Sequence, residues 1–180
     1  MKKLLLSLSL MIAIATPAAF GQARVELGAS APLSVGYISN SGGEFSDIVT
    51  TIGELGILPI PEFALLLQAK LGAVKLGGGI KAQSAILFTL AYPVVQAELS
   101  LGNFSIDASL GGYYFGYFAI GDVYGLQQAD IIIPDLSAWL GIGRKNSFRI
   151  GGGALGIVPT TFDLDALPLI AYAGMKIVLE

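Results

Sequence analysis

The feature that most constrains the fold of this chain is a strict alternation of side chains in segments of about ten residues. The clearest case is the last segment, whose second face carries Tyr172, Gly174, Lys176 and Glu180. Its first face is wholly apolar and consists of Leu167, Leu169, Ala171, Ala173, Met175, Ile177 and Leu179. Successive side chains of a β-strand point to opposite faces, so this pattern predicts a strand with one face in an apolar medium.

The same alternation recurs in seven further segments of the chain. They cover residues 25–33, 65–71, 74–86, 95–101, 104–114, 132–142 and 148–158. In each of them one face is apolar, and the charged and most polar residues lie on the other. The sequence therefore predicts eight strands, and an even number is typical of bacterial barrels that span a membrane.

The composition indicates what the apolar faces contact. Hydrophobic residues make up 54% of the chain and charged residues only 13%, about half the charged share of an average soluble domain. No apolar run after Ala23 reaches the roughly 20 residues of a spanning helix, so a membrane crossing requires a closed barrel. We therefore predict an all-β fold, an eight-stranded antiparallel transmembrane up-and-down β-barrel over residues 24–180.

The first 23 residues are typical of a secretory signal peptide. Lys2 and Lys3 precede an apolar run from Leu4 to Thr16, and small residues then lead to a cleavage site after Ala23. The alternative is a retained membrane anchor, but the run is short for a spanning helix. We expect removal of the leader, export, and insertion of the barrel into a Gram-negative outer membrane.

Short and long connections alternate between the predicted strands. Turns are predicted at Gly72–Ala73, Gly102–Asn103 and Arg144–Asn146, and longer links over residues 35–62, 88–93, 119–130 and 159–167. Short periplasmic turns and long external loops are the outer-membrane pattern, so both termini are expected on the periplasmic side. Residues 46–55 form either a short helix over the barrel mouth or a loosely ordered loop.

Charged residues on the inward faces are candidates for a network inside the barrel. They are Glu26, Lys70, Lys75, Lys81, Glu98, Asp107, Asp135, Arg149 and Lys176. Inside a narrow barrel, charges of opposite sign can pair and satisfy each other's hydrogen bonds. The network either fills the barrel and fixes its register, or forms an openable plug or proton path.

Nearer the external end, the inward positions become apolar and aromatic. The candidate site for a small hydrophobic ligand consists of Leu66, Tyr113, Phe115, Ile133, Leu155 and Tyr172. Further inward positions are Leu87, Val94, Tyr117, Ile131, Ile157 and Ile170. The alternative is a packed apolar top without a ligand.

Two absences and one charge pattern narrow the function. The chain has no cysteine and no histidine, so we predict neither an enzyme nor a cofactor or metal site. The predicted loops contain only acidic charges, which disfavours nucleic acid as a partner. These loop residues are Glu44, Asp47, Glu54, Glu62, Asp122, Asp130, Asp163 and Asp165.

In this pattern of strands the mature chain resembles the small outer-membrane barrels of the OmpW, OmpA-transmembrane and OmpX type. The C-terminus, residues 177–180, departs from the terminal Phe or Trp that the barrel-assembly machinery usually recognises. The resemblance implies outer-membrane lipid and that machinery as partners. It also implies an OmpW-like narrow channel or binding site for small hydrophobic molecules.

Two alternatives to that function remain open. The first is a structural or surface-interaction barrel, adhesin-like and without transport. The second is a soluble lipocalin-like binder, which would need polar residues on the outer face, whereas here the outer face of every predicted strand is apolar.

Overall fold

The computed structural model of the chain describes residues 21–37, 59–85, 88–120, 123–143, 145–159 and 168–180. The predicted leader lies almost entirely outside these residues and stays a prediction, although the first strand already includes Gln22 and Ala23. The predicted short helix over residues 46–55 also lies outside them. In the part of the chain that is described, no helix combines the length and the apolar character needed to cross a membrane.

The described residues form nine β-strands. These are β1 (Gln22–Tyr37), β2 (Ile60–Leu71), β3 (Val74–Ala85), β4 (Phe88–Leu101), β5 (Phe104–Ile120), β6 (Val123–Ile142), β7 (Phe148–Gly156), β8 (Val158–Pro159) and β9 (Pro168–Leu179). Only Ile157 separates β7 from β8, and both pair with β6. β7 and β8 therefore occupy one strand position in the sheet, and the nine strands form an eight-stranded barrel.

The strands close into a barrel. Each pairs antiparallel with its neighbours in the chain from β1 to β6, then β6 with β7 and β7 with β9. The pairing of β9 with β1 completes the ring, and a closed ring leaves no free sheet edge along its length. This confirms the predicted eight-stranded antiparallel up-and-down barrel.

The alternation along the strands separates an apolar outside from a filled inside. At mid-height the outward side chains Ile80, Val95 and Leu136 are 54%, 55% and 59% exposed. Inward side chains such as Leu66 and Glu98 are each 1% exposed. Apolar residues outside and charges inside are the architecture of a transmembrane β-barrel.

Two of the predicted long connections are wrong, because the strands extend through them. β4 already begins at Phe88, and β5 and β6 continue to Ile120 and from Val123. The connections that remain there are residues 86–87 and 121–122. The three predicted short turns lie together at one end of the barrel with Gln22 and Glu180, and we call it the turn end; the opposite end is the loop end.

A bulge in β5 reverses which of its side chains point inward. The pairing shifts between Ala91 and Val94 on the β4 side and between Gly112 and Tyr114 on the β6 side. Tyr113 lies at this point with a φ of 53°, a left-handed conformation that costs an ordinary residue about 1–3 kcal/mol. Beyond the bulge the inward positions have even numbers instead of odd ones.

The bulge corrects three predicted lumen residues. Phe115 and Tyr117 are 56% and 43% exposed on the outside, and the ring of Tyr113 packs edge-on against Phe115, with centroids 5.0 Å apart. The prediction that these three residues line the lumen is therefore wrong. Tyr114 and Phe118 point inward in their place.

Two glycines allow close contacts that a Cβ atom would prevent, one with a ring inside the barrel and one with the backbone of a neighbouring strand. An added Cβ at Gly111 would lie 2.5 Å from the ring of Tyr92. At Gly151 it would lie 2.0 Å from the carbonyl oxygen of Ala138 and 2.9 Å from the Cα atom of Trp139. An eight-stranded interior is only just wide enough for side chains to fill, so bulky inward residues require such small neighbours.

Candidate functional site

The inside of the barrel contains a charged layer towards the turn end and a cavity towards the loop end. The ion-pair layer, as we call it, consists of Arg24, Glu26, Lys75, Glu98, Asp107, Arg149, Lys176 and Glu180. All but Glu180 project from strands, where the two-residue period directs them inward. The upper cavity is the space above this layer, lined by the inward side chains of the loop-end half.

Glu98 is the centre of the first half of the ion-pair layer. Its Oε2 atom lies 2.6 Å from Nη1 of Arg24 and 2.7 Å from Nη1 of Arg149. Its Oε1 atom accepts a hydrogen bond from the hydroxyl of Ser100 at 2.7 Å and lies 3.5 Å from Nζ of Lys75. One buried carboxylate thus contacts side chains from three other strands, β1, β3 and β7, and one from its own strand.

Lys176 is the centre of the second half of the layer. Its Nζ atom donates to Oδ2 of Asp107 at 2.6 Å and to Oε2 of Glu26 at 3.1 Å. It also lies 4.4 Å from the centroid of the Trp139 ring, a cation–π contact. Arg24 forms an ion pair with Glu26 and so connects the two halves.

Glu180 extends the layer to the turn end. It lies beyond the last residue of β9 and pairs with Lys75 and Arg24. Partial burial by itself would raise the pKa of the Glu180 carboxyl, but the hydrogen bonds from Lys75 and Gln68 hold this pKa below its usual range. Glu180 therefore adds a stable negative charge to the layer.

The layer is electrically balanced and, apart from Glu180 at the turn end, largely buried. Four basic side chains, Arg24, Lys75, Arg149 and Lys176, face four acidic ones. Arg24 is 0% exposed, the most buried charge of the described residues. Buried charges are costly unless each is paired and hydrogen-bonded, so this balance makes their burial possible.

Most of the predicted charge network is brought together, with three differences. Lys81 and Asp135 form a separate cluster at greater height. Lys70 is exposed at the turn-end rim and makes no ion pair with any described residue, so its predicted place in the network is wrong. The predicted network did not include Arg24 and Glu180. Both are separated by an even number of residues from a predicted inward charge, Arg24 from Glu26 and Glu180 from Lys176, so the two-residue period also directs them inward.

The separate cluster forms the lower boundary of the upper cavity, and we call it the floor cluster: Ser30, Glu62, Lys81, Gln83, Asp135 and Tyr172. Nζ of Lys81 lies 3.4 Å from Oε2 of Glu62 and 3.4 Å from Oδ2 of Asp135. The Tyr172 hydroxyl donates to Oδ1 of Asp135 at 2.8 Å. The Ser30 hydroxyl and the Gln83 amide donate to Glu62.

Above the floor cluster lies a cavity of about 120 Å³ with mainly apolar walls. One wall is aromatic and consists of Phe88, Tyr92, Tyr114 and Phe118. The opposite wall is aliphatic and consists of Ile131, Ile133, Leu155, Ile157 and Ile170. A largely apolar pocket with a few converging polar groups is the usual form of a small-molecule site.

Half of the predicted ligand-site residues line this cavity. Ile133, Leu155 and Tyr172 do so, whereas Leu66 is packed into the core next to Tyr92 and Val94. Tyr113 and Phe115 lie outside the barrel, as described above. Residues 88–92 were not among the predicted ligand-site residues because they were assigned to a connection. Leu90 and Tyr92 nevertheless lie at two-residue steps from Val94, which was predicted to point inward.

A second cavity of about 690 Å³ opens at the turn end. Its lining is polar and apolar in about equal parts and includes Lys70, Lys75, Arg149 and Glu180. The two cavities share no lining residue. The ion-pair layer and the core around Leu66 lie between them, so the described residues leave no continuous passage through the barrel.

No protein-family model and no curated protein sequence matches the chain. Among solved structures, the chain is similar to Ail, the attachment invasion locus protein of Yersinia pestis, at 10% identity and a TM-score of 0.46, over 89% of this chain and 99% of that one. It is also similar to neisserial surface protein A, at 7% identity and a TM-score of 0.41, over 86% and 94% of the two chains. At these values neither similarity supports a statement about function.

We predict that Glu98→Gln lowers the free energy of unfolding by about 3–5 kcal/mol, because it leaves Arg24 and Arg149 buried without their shared counter-charge. The measurement is a urea titration of the protein in lipid vesicles, followed by the fluorescence of Trp139. The matched control is Lys70→Gln, which also removes a charge near the turn end and should change the stability by less than about 0.5 kcal/mol. Equal, small effects of both variants would contradict the role given to Glu98.

Proposed function

We propose that the chain is an integral outer-membrane barrel that binds a small hydrophobic molecule in its upper cavity. The observation that carries this proposal is the apolar cavity itself, which the ion-pair layer and the core around Leu66 separate from the turn end. Unlike the ion-pair layer, the walls of this cavity leave space at the centre of the lumen. Protein interiors are otherwise close-packed, so an apolar space inside a narrow barrel is available to a small ligand.

The membrane location is supported by the outer surface. Large apolar side chains are exposed around the barrel from the turn end upwards, and they include Leu71, Leu76, Ile80, Leu99, Leu110 and Leu140. An exposed apolar surface of this extent is unfavourable in water. Lipid, and assembly through the barrel-assembly machinery, belong to the same proposal.

The size of the cavity suits a ligand of one small ring. An apolar cavity of about 150 Å³ in another protein binds benzene, and the cavity here measures about 120 Å³. We therefore propose a ligand no larger than a singly substituted benzene, held by contact with the aromatic and aliphatic walls. In this respect the proposed function agrees with the OmpW-like binding role.

The channel part of that role is not included in the proposal. The ion-pair layer joins Arg24 and Glu98, both at most 1% exposed, across the lumen. Passage of an ion or a solute would require several of these buried pairs to separate together, and separating even one is costly. We propose binding from the loop end without conduction.

A second candidate, a surface-interaction barrel, is favoured by the hairpin of β5 and β6. Among the described residues, positions 123–129 of β6 pair with β5 alone. Tyr124 and Leu126 there are 75% and 85% exposed. Exposed aromatic and aliphatic residues outside a lipid-facing band are typical of protein contact surfaces.

The heights of Leu136 and Leu126 on β6 allow the membrane location to be tested. A tilted strand rises about 2.5 Å per residue along the barrel axis, so Leu136 lies about 15 Å above Ile142 and Leu126 about 40 Å, beyond an apolar band of about 25 Å. We predict that Leu136→Arg lowers the stability in vesicles by about 2–4 kcal/mol and Leu126→Arg by less than about 1 kcal/mol. The measurement is the urea unfolding midpoint, and equal effects would argue against a bilayer around Leu136.

The absence of conduction is tested by single-channel recording in planar bilayers. We expect no stepwise current from the protein at neutral pH, because the balanced ion-pair layer closes the lumen. The same recording on Glu98→Gln shows whether loss of one pair opens a path. Regular unitary currents from the unmodified protein would contradict the closed barrel.

The binding site is tested with toluene and a variant that fills the cavity. We predict that toluene shifts the methyl NMR signals of Ile131, Ile133 and Ile170, and that Leu155→Phe abolishes these shifts because the larger ring occupies the cavity. The matched control is Leu140→Phe on the outer face, which should bind toluene normally. If toluene leaves the lining methyl signals of the unmodified protein unchanged, the proposed binding function is wrong.

A further inference from the structure

We infer that the upper cavity selects small lipophilic cations, such as arylammonium or alkylammonium ions, over neutral and anionic molecules of the same size. This inference rests on the proposed function of the cavity as a binding site. It adds the charge class of the ligand, which the apolar walls alone do not determine.

The first argument is the charge of the floor cluster. It contains two carboxylates, Glu62 and Asp135, and a single cation, Lys81, which lies 3.4 Å from each of them. The remaining hydrogen bonds to the carboxylates come from neutral groups, the hydroxyls of Ser30 and Tyr172 and the amide of Gln83. One negative charge is therefore left without a counter-charge at the lower boundary of the cavity.

The single cation does not make the cavity a site for anions. Lys81 is the only lysine or arginine among the described residues that line it. Its ammonium group already lies between two carboxylates, so an added carboxylate or phosphate would meet an excess of negative charge. A ligand ammonium, in contrast, completes a balance of two positive and two negative charges.

The second argument is the aromatic wall. The rings of Phe88 and Phe118 stack with centroids 6.1 Å apart, and the ring of Tyr114 meets Phe118 edge-on at 5.9 Å. Tyr92 belongs to the same wall and contributes another ring beside the floor cluster. Aromatic faces attract ammonium groups through the negative charge of their π-systems, and most strongly where water is excluded.

The third argument is the charge of the connections at the loop end. Residues 38–59, 86–87, 121–122 and 160–167 contain no lysine, arginine or histidine. Their ionisable residues are all acidic and are Glu44, Asp47, Glu54, Asp122, Asp163 and Asp165. The sequence thus adds negative and no positive charge to the connections between these strand ends, and an excess of one charge sign raises the local concentration of ligands of the opposite sign.

The test compares three molecules of nearly equal size and shape: benzylammonium, toluene and benzoate. Each is titrated at pH 7 into the purified protein in micelles of an uncharged maltoside detergent. The methyl NMR signals of the cavity residues Ile131, Ile133 and Ile170 report binding, and that of Ile150 on the outer face reports nonspecific uptake into the micelle. We expect benzylammonium to bind on the order of tenfold more tightly than toluene, and benzoate not to bind.

A variant separates the effect of the floor cluster from that of the barrel as a whole. Glu62→Gln keeps the size of the side chain but removes its charge, and should abolish the tenfold preference for benzylammonium over toluene, measured as the ratio of the two affinities within the same variant. The matched control is Glu180→Gln, which removes the same charge at the turn end. It should preserve the preference for benzylammonium.

The possible results distinguish this inference from the proposed function. Equal binding of benzylammonium and toluene, or preferred binding of benzoate, would overturn the charge preference and leave the binding function in place. A preference that persists in Glu62→Gln would overturn the role of the floor cluster. If none of the three molecules shifts the lining methyl signals, both the inference and the proposed binding function are wrong.

Discussion

The structure depends on one constraint: a strand that crosses an apolar medium must satisfy every backbone N–H and C=O group within the protein. Closure of the ladder between β9 and β1 meets this requirement, and with eight strands it leaves an interior only just wide enough for side chains. Large inward groups are therefore possible only opposite small ones, as with Tyr92 beside Gly111. Charged groups are possible only where a partner reaches them across the lumen.

The same narrowness divides the interior into two parts with different properties. Towards the turn end, Arg24 and Lys176 reach carboxylates on other strands, and the balanced ion-pair layer crosses the lumen. Towards the loop end, the inward side chains are apolar or aromatic, and they leave a cavity above the floor cluster. The ion-pair layer and the core below the cavity separate it from the cavity at the turn end.

The alternation in the sequence was sufficient to predict the strands and the inward direction of Glu98, Asp107 and Lys176, because the two-residue period is a local property of each strand. It was not sufficient to predict how far along the barrel axis each inward side chain lies or which charge it pairs with. Lys70 has the correct parity but lies at the rim, where it is exposed. Arg24 lies just before the first predicted strand, residues 25–33, yet it joins both halves of the ion-pair layer.

By itself, the sequence determined that the chain is an all-β barrel with an apolar outside and a charged inside, since these properties follow from the order of residues within single strands. Only the tertiary structure decided which aromatic rings line the cavity. The bulge at Tyr113 turns Tyr114 and Phe118 inward and Phe115 outward. The position of a bulge depends on the register between a strand and both of its neighbours, and no pattern within one strand contains that information.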